Sequence, residues 1–407
     1  MYEQVLIKKT VYGAGENQIL CGDGSSLPSE IMTKAGQIQC VYLDPPFMTG
    51  KVFRRKRPWG EKGWRRGNPS LDLPGYMDRF SDEETYLEML SRMISVSWEL
   101  MRPEGVLYLH LDWRMTGQAR MMCDQIFGKE RFLNEIIWSY ESGGRSKRTF
   151  SRKHDNILLY AKGKNYQFDI TRVPLPRGEN RQNHMARKVD ADGRMYSSIK
   201  SGGKEYRYYD DDPVYPGDVW SDISFLQQRD PERTGFVTQK PLKLLERLLK
   251  PVVSGGDWVA DLCCGSGTTL VAAEKLGCRY IGTDQNPEMM AISLARVKTD
   301  DLTVSCDTAM DDKFIHTLID PETGVLRLEG IHLTGEPYPE EAQGMDLIES
   351  WETGRIEGNV FYGGKRFQRS FQYPALTEHT GAGSGRMPDL LITDAAGIRR
   401  AYQWREA

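Results

Sequence analysis

The sequence predicts an α/β protein: a Rossmann-like, doubly wound and mostly parallel sheet, carrying an insert and a small C-terminal β-rich region. Strand-like apolar runs alternate with helical periodicity over residues 1–140. A strand, glycine turn, helix, strand and acid follow one another from Asp257 to Asp284. Between these stretches, at residues 141–235, the periodicity gives way to polar sequence rich in Gly, Arg and Tyr, with Arg-Tyr-Tyr-Asp-Asp-Asp at 207–212.

Each element has a local reason. Gln18 to Cys21 and Gln39 to Leu43 are short apolar runs that read as buried strands. Ser81 to Met101 reads as a helix, with Ser81 and Glu84 as its capping box. Leu87, Leu90, Met93, Ile94, Ser97 and Leu100 recur at helical spacing, and Pro103 and Gly105 lie beyond its end. A strand at Val106 to Leu111, a helix ending at Gly128 and a strand at Leu133 to Tyr140 continue the alternation. Pro241 to Lys250 is a further helix, with proline in its first turn and leucines at 242, 244, 245, 248 and 249. In the glycine unit, Ser266 or Thr268 can cap the helix start, Gly277 can close its end in the left-handed conformation, and Tyr280 and Ile281 form the next strand. The tail has strand-like runs at 324–328, 359–362 and 390–393, with Ala395-Ala396-Gly397 as a hairpin turn.

Two motifs carry chemistry. Val41 to Phe47 reads Val-Tyr-Leu-Asp-Pro-Pro-Phe. Asp44 offers carboxylate acceptors, Pro45 a carbonyl free of local pairing, Pro46 a fixed backbone and Phe47 a flat apolar face. Such a set suits a planar exocyclic amine whose ring is stacked, as in a nucleobase lifted from its helix. Read alone, the same residues describe a strand ending in a Pro-Pro turn. The glycine unit tips the balance. Asp284 ends a strand, where open α/β sheets bind ligands and an acid takes ribose hydroxyls. Leu270 stands where a dinucleotide fingerprint needs its third glycine, and no Gly-Lys-Ser/Thr phosphate loop occurs. A cofactor with a ribose, an adenine, a carboxylate and a sulfonium fits better, which describes S-adenosylmethionine.

Together the two motifs resemble the β-class DNA amino-methyltransferases, similar to type II and type III modification methylases. In that family Asp-Pro-Pro precedes the glycine motif, as Asp44 precedes Gly265 here. Gly22-Asp23, Arg152-Lys153-His154-Asp155 and Thr238-Gln239-Lys240-Pro241 extend the resemblance over residues 15–300. Phe47 stands where the family usually has Tyr, which keeps the stack and removes a hydroxyl. The resemblance implies catalysis by Asp44, Pro45, Pro46 and Phe47. It assigns ribose to Asp284, adenine to Asp23, and the methionine end to Gln239 or Lys240 with the turn Gly265, Ser266, Gly267, Thr268 and Thr269. Asp261 braces that turn, and Cys263 and Asn286 complete the set. His154 and Asp155 either orient the base or form a loop pairing. The family's adenine-N6 enzymes usually carry Asp before Pro-Pro, so adenine N6 in DNA is the expected target, with cytosine N4 the alternative and a catalytically silent DNA-binding relative the third reading.

Composition agrees. The chain has 407 residues, 39% of them hydrophobic and 27% charged, enough for two or three domains with a core. The sequence has no membrane-spanning run and no signal-peptide core, so a cytoplasmic protein is expected. The seven cysteines show no metal-ligand or redox spacing and are read as reduced thiols. Net charge is only −3, yet the basic residues cluster. Lys51, Arg54, Arg55, Lys56, Arg57, Lys62, Arg65 and Arg66 directly follow the Asp-Pro-Pro-Phe motif, with Trp59 and Trp64 interleaved, and read as a loop that contacts a nucleic-acid strand. Arg145, Lys147 and Arg148 form a second cluster. The expected organisation is a methyltransferase domain in two stretches, 1–140 and 236–301, a target-recognition insert at 141–235, and a β-rich appendage at 302–407. The expected partner is double-stranded DNA; the resemblance adds a cognate restriction endonuclease and a homodimer.

Overall fold

The computed structural model describes residues 2–5, 9–12, 15–22, 24–25, 29–58, 70–141, 146–176, 187–227, 229–234, 238–286, 292–293, 296–299, 302–305, 314–319, 326–332, 348–358, 360–368, 378–379, 389–394 and 399–404. The chain opens with strands β1 (Tyr2–Val5), β2 (Lys9–Tyr12) and β3 (Asn17–Cys21), one helical turn α1 (Ser29–Met32) and β4 (Ile38–Leu43). A hairpin of β5 (Lys51–Pro58) and β6 (Ser70–Asp78) leads to helix α2 (Glu83–Leu100), strand β7 (Met101–Leu111), helix α3 (Thr116–Phe127), and strands β8 (Phe132–Ser139) and β9 (His154–Ala161). After β10 (Arg187–Val189), β11 (Met195–Ser201), β12 (Lys204–Tyr209) and β13 (Val219–Trp220) come α4 (Leu242–Leu249), β14 (Trp258–Asp261), α5 (Thr268–Lys275) and β15 (Arg279–Asp284). Among the described residues the C-terminal part consists of strands β16 (Leu302–Ser305), β17 (Phe314–Ile319), β18 (Leu326–His332), β19 (Ile348–Glu357), β20 (Val360–Gln368), β21 (Glu378–His379), β22 (Asp389–Asp394) and β23 (Arg399–Trp404).

The central run β16-β3-β15-β14-β4-β7 is parallel throughout. Strands β4 and β14 are buried along their whole length, and alternate residues of β4 serve opposite layers. Cys40 and Tyr42 pack with α4 and α5, while Val41 and Leu43 pack with α2 and α3. This three-layer arrangement puts every parallel carboxyl end on one edge.

Several local expectations change. The N-cap of α2 is Asp82, whose carboxylate accepts from the Thr85 amide at 2.7 Å, because the helix starts one residue later than a Ser81 cap requires. Pro241 is itself the N-cap of α4. The basic run after Phe47 reads as a loop in the sequence; through Pro58 it is strand β5, paired antiparallel with β6 residue by residue apart from one register shift between Val52 and Arg54. The alternation of helix and strand predicts a mostly parallel sheet, and the exception at this end is β9, which runs antiparallel to both β7 and β8.

Strand β9 also lies inside the stretch assigned to the insert, yet it is buried in the central sheet between β7 and β8. Its apolar run, Ile157 to Ala161, makes it a core strand, and β13 likewise joins β8. What projects from the sheet is the small antiparallel sheet β10-β11-β12. Of the C-terminal strands, β16, β19, β20, β22 and β23 are continuous with the main sheet, where β1 pairs with β23 and β2 joins β20 to β16, whereas β17, β18 and β21 form a separate three-stranded sheet. Strands β22 and β23 pair antiparallel as expected; the Ala395-Ala396-Gly397 turn lies outside the described residues.

Candidate active site

At the carboxyl edge a cavity of about 740 Å³ is lined by the loop after β4, the turn after β14, the end of β15, the segment before α4, and hairpin residues Phe53, Asp78, Arg79 and Phe80. That volume suits a nucleoside-sized ligand. In sheet order β15, β14 and β4 are neighbours, so Asp284, Asp261 and Asp44 stand in a row along this edge.

Asp44 directly follows β4, where the apolar run ends and two prolines stop further pairing. Its carboxylate is ion-paired with the Lys240 ammonium, and Lys240 Nζ lies 5.2 Å from the centre of the Phe47 ring. Pro45 is buried, and Pro46 and Phe47 are half-buried at the mouth. The loop is pinned by Asp78, which accepts from the Met48 amide (2.7 Å), the Thr49 amide (3.0 Å) and the Thr49 hydroxyl (2.5 Å). Met48 sits at φ +56°, a left-handed backbone that these bonds hold in place.

Behind Phe47 runs a buried polar chain. The Phe47 and His110 rings are 6.0 Å apart and tilted by 30°. His110 Nδ1 is 2.8 Å from the Tyr42 hydroxyl and its Nε2 is 3.2 Å from Asp155, which also accepts from the Tyr140 hydroxyl at 2.9 Å. With Nε2–H donating to Asp155, Nδ1 is left to accept from Tyr42. Burial alone would push Asp155 up, but hydrogen bonds from His110 and Tyr140 and the charge of Lys240 leave it below its ordinary value. Asp155 is therefore a buried strand residue that backs the Phe47 ring, a position that replaces the loop pairing considered from sequence.

Asp284 is held differently. Its two oxygens accept from the Gly265 amide at 2.9 Å and the Asn286 amide at 2.8 Å. Each oxygen keeps a further acceptor position. Burial pushes Asp284 up to about 6 against the lowering effect of those amides. Asp261 accepts from the Cys263 amide at 3.0 Å. Burial raises it to about 7, opposed by Thr269 and Cys263 and reinforced by the charges of Asp44 and Asp284.

The glycine turn closes on itself, with Gly267 N–H donating to Cys264 carbonyl at 2.7 Å. Gly267, at φ +73°, is the N-cap of α5, not Ser266 or Thr268, and a Cβ there would fall 2.7 Å from Ser293 Oγ. Ser266 and Thr268 instead accept from Arg296, through the Ser266 carbonyl (2.7 Å) and the Thr268 hydroxyl (2.9 Å). Cys263, Gly265, Ser266, Thr268, Thr269 and Asn286 all line the cavity.

The remaining predicted residues divide. Gln239 lines the cavity, but its amide bridges the Glu232 carbonyl and Thr234, bracing its own loop. Lys240 also lines the cavity and is paired with Asp44. Asp23, Arg65, Arg66 and Arg145 lie outside the described residues. Arg54, Arg55 and Arg57 ride on β5, Lys51 is exposed at its start, and Lys147 and Arg148 are exposed. Sequence reading missed Asp78, His110 and Arg296, which act across long stretches of chain and carry no local pattern. Among the described residues no cluster of His, Cys, Asp and Glu could hold a metal ion, and no helix is long and apolar enough to cross a membrane.

Residues 38–295 match the family model described as "DNA methylase", which spans both chemical motifs and the strands between them. The chain belongs to the DNA methylase family. It is 27% identical over 320 residues to the type II methyltransferase M.EcaI of Enterobacter cloacae, covering 66% of this chain and 67% of that protein. It is 29% identical over 261 residues to the type II methyltransferase M1.MboII of Moraxella bovis, covering 62% and 85%. It is 24% identical over 292 residues to the DNA adenine methyltransferase YhdJ of Escherichia coli, covering 71% and 85%. As a DNA methyltransferase of the N6/N4 class it uses S-adenosylmethionine. The residues fit that cofactor: the Asp284 carboxylate, with free acceptor positions, ends β15, and a turn with glycines at 265 and 267 opens α5 beside the same cavity.

Proposed function

We propose that this DNA methyltransferase methylates the N6 amine of an adenine flipped out of double-stranded DNA. The observation that carries the reading is the shared cavity, in which Asp44 and Phe47 face the same space as Asp284 and the glycine turn. Asp before Pro-Pro, as in the family's adenine enzymes, favours adenine over cytosine, and the similarity to an adenine methyltransferase points the same way.

In this reading S-adenosylmethionine supplies an electrophilic methyl group next to Asp44. Asp44 and the Pro45 carbonyl accept hydrogen bonds from the target amine and favour a more tetrahedral nitrogen, whose lone pair is then freed from the ring. On accepting a methyl group the nitrogen would gain positive charge, which Asp44 would stabilise in a largely dry pocket. The amine then gives up one proton, for which Asp44 is the nearest acceptor. Phe47 holds the base by stacking, and Asp284 takes ribose hydroxyls. Positioning supplies most of the acceleration, since no covalent enzyme intermediate is needed.

We assign the β5–β6 hairpin, which walls the cavity with Phe53 and Asp78, to the DNA backbone, with Lys51, Arg54, Arg55 and Arg57 along its first strand. The β10–β12 sheet is the proposed target-recognition element, since Met195, Ile199, Tyr206 and Tyr208 leave exposed apolar surface on it. The homodimer implied by the resemblance is tested by sedimentation of the purified chain. For the reaction, tritiated S-adenosylmethionine is incubated with unmethylated genomic DNA and the labelled nucleoside identified. Label in N6-methyladenosine supports the proposal; label in N4-methylcytosine overturns the adenine assignment.

A further inference from the structure

The Asp44–Lys240 ion pair has a chemical meaning beyond neutralising a charge. A Lys ammonium offers N–H donors to the Asp44 carboxylate and a positive centre to the Phe47 ring. The target amine would offer its own N–H donors to the same carboxylate while its ring lies on the same aromatic face. The two cannot occupy the site together. Both Asp44 and Lys240 are largely shielded, with side chains 17% and 11% exposed.

We infer that Lys240 is a stand-in for the target amine, holding Asp44 while the base subsite is empty and giving it up when a positively charged cofactor is bound. The inference rests on the amino-methyltransferase reading of the cavity. Transfer requires the donor sulfur and acceptor nitrogen to be bridged by one methyl group, with reacting atoms about 3–3.5 Å apart. A sulfonium therefore comes to stand beside the Lys240 ammonium. Repulsion between two unit charges that close, in a protein interior, shifts an equilibrium by roughly tenfold or more.

Lys240 is built to move where its neighbour is not. Gln239 is anchored through Glu232 and Thr234, so the backbone is fixed, whereas the Lys240 stem is a flexible four-carbon chain. The carboxylates of Asp44 and Asp284 line the cavity and keep a cation attracted while it is otherwise empty. After transfer the cofactor product is a neutral thioether. Lys240 then returns to Asp44 and competes with the methylated base for its carboxylate.

The test follows Lys240 directly. The purified full chain is acetylated with an amine-reactive reagent and the modification of Lys240 quantified by mass spectrometry against Lys164, an exposed lysine. Labelling is compared between saturating S-adenosylhomocysteine, the neutral thioether, and an analogue of equal size carrying an amine in place of the sulfonium. Lys240 is expected to react at least fivefold faster with the charged analogue. Equal rates with both analogues bound overturn the inference alone. Binding of neither analogue by calorimetry overturns the amino-methyltransferase reading and the inference with it. In Lys240→Met, with the repelling ammonium gone, S-adenosylmethionine is expected to bind about tenfold more tightly while S-adenosylhomocysteine stays within about twofold of the parent; a tenfold loss for both would place Lys240 at the cofactor carboxylate and overturn the stand-in role.

Discussion

Asp44 and Asp284 end parallel strands on either side of β14, face one cavity and have the same functional group, yet they are held in opposite ways. Asp284 is fixed by two backbone amides that cannot leave. Asp44 is paired with the tip of a long side chain that can. A carboxylate on fixed donors is preorganised and suits a ligand bound the same way in every cycle. One on a mobile partner can exchange it, as an acceptor of successive bases must. The backing differs too: Asp284 rests on its own turn, whereas the Asp44 loop depends on Asp78 in the hairpin and on the Tyr42–His110–Asp155–Tyr140 chain behind Phe47.

The sharpest way to break the comparison is Asp44→Ala. Transfer is expected to fall by about 10²–10³-fold or more in kcat, with cofactor affinity within about twofold of the parent, because stabilisation of the developing charge is lost and the ribose end is untouched. Calorimetry beside a filter-binding methylation assay separates the two. The mirror experiment, Asp284→Ala, is expected to weaken S-adenosylmethionine binding by about 10–100-fold, the worth of hydrogen bonds to a charged group, while kcat at saturating cofactor stays near the parent. A loss of kcat with unchanged affinity would exchange the two roles.

Next comes the stack. Phe47→Ala removes an aromatic contact worth about 1–3 kcal/mol, so kcat/KM for DNA should drop by roughly 5–150-fold, and Phe47→Tyr should restore it. Smaller is the effect of pH. Asp284, raised to about 6 by burial, becomes protonated below that pH and loses acceptor strength towards ribose hydroxyls. Cofactor affinity is expected to fall by up to about fivefold from pH 6 to pH 5; a flat profile, or the same profile in Asp284→Asn, would remove Asp284 from the binding step. The same shift acts on stability with its own sign. The folded chain holds protons on Asp284 and Asp261 that the unfolded chain has released, so cofactor-free stability decreases as pH rises from about 4 through 7. Asp261→Asn should therefore lessen the difference between urea midpoints at pH 5 and pH 8. The smallest change is Tyr140→Phe, which removes one hydrogen bond from Asp155 and should lower stability by about 1 kcal/mol without altering cofactor affinity.

The parts of the site that were legible in sequence are contiguous in the chain. The Asp-Pro-Pro-Phe loop and the glycine turn each announce themselves within a few residues, because a strand end, a proline pair and a left-handed glycine are local requirements. Helices α2 and α4 were legible for the same reason, since their apolar faces repeat at helical spacing; only their caps moved by a residue. Strand β9 was lost among polar neighbours, although Ile157 to Ala161 is as apolar as any core strand. The sequence by itself determined the chemistry at hand: an acid and an aromatic after one strand, a glycine turn and an acid after another. Only the tertiary structure decided which groups those acids meet. Lys240 on Asp44, Asp78 on the Met48–Thr49 amides, His110 behind Phe47 and Arg296 on the turn are all joined across distant stretches of chain. The join of β1 and β2 to the C-terminal strands is of the same kind. Such partners are set by strand order and register, which place residues side by side without leaving a pattern in either segment alone.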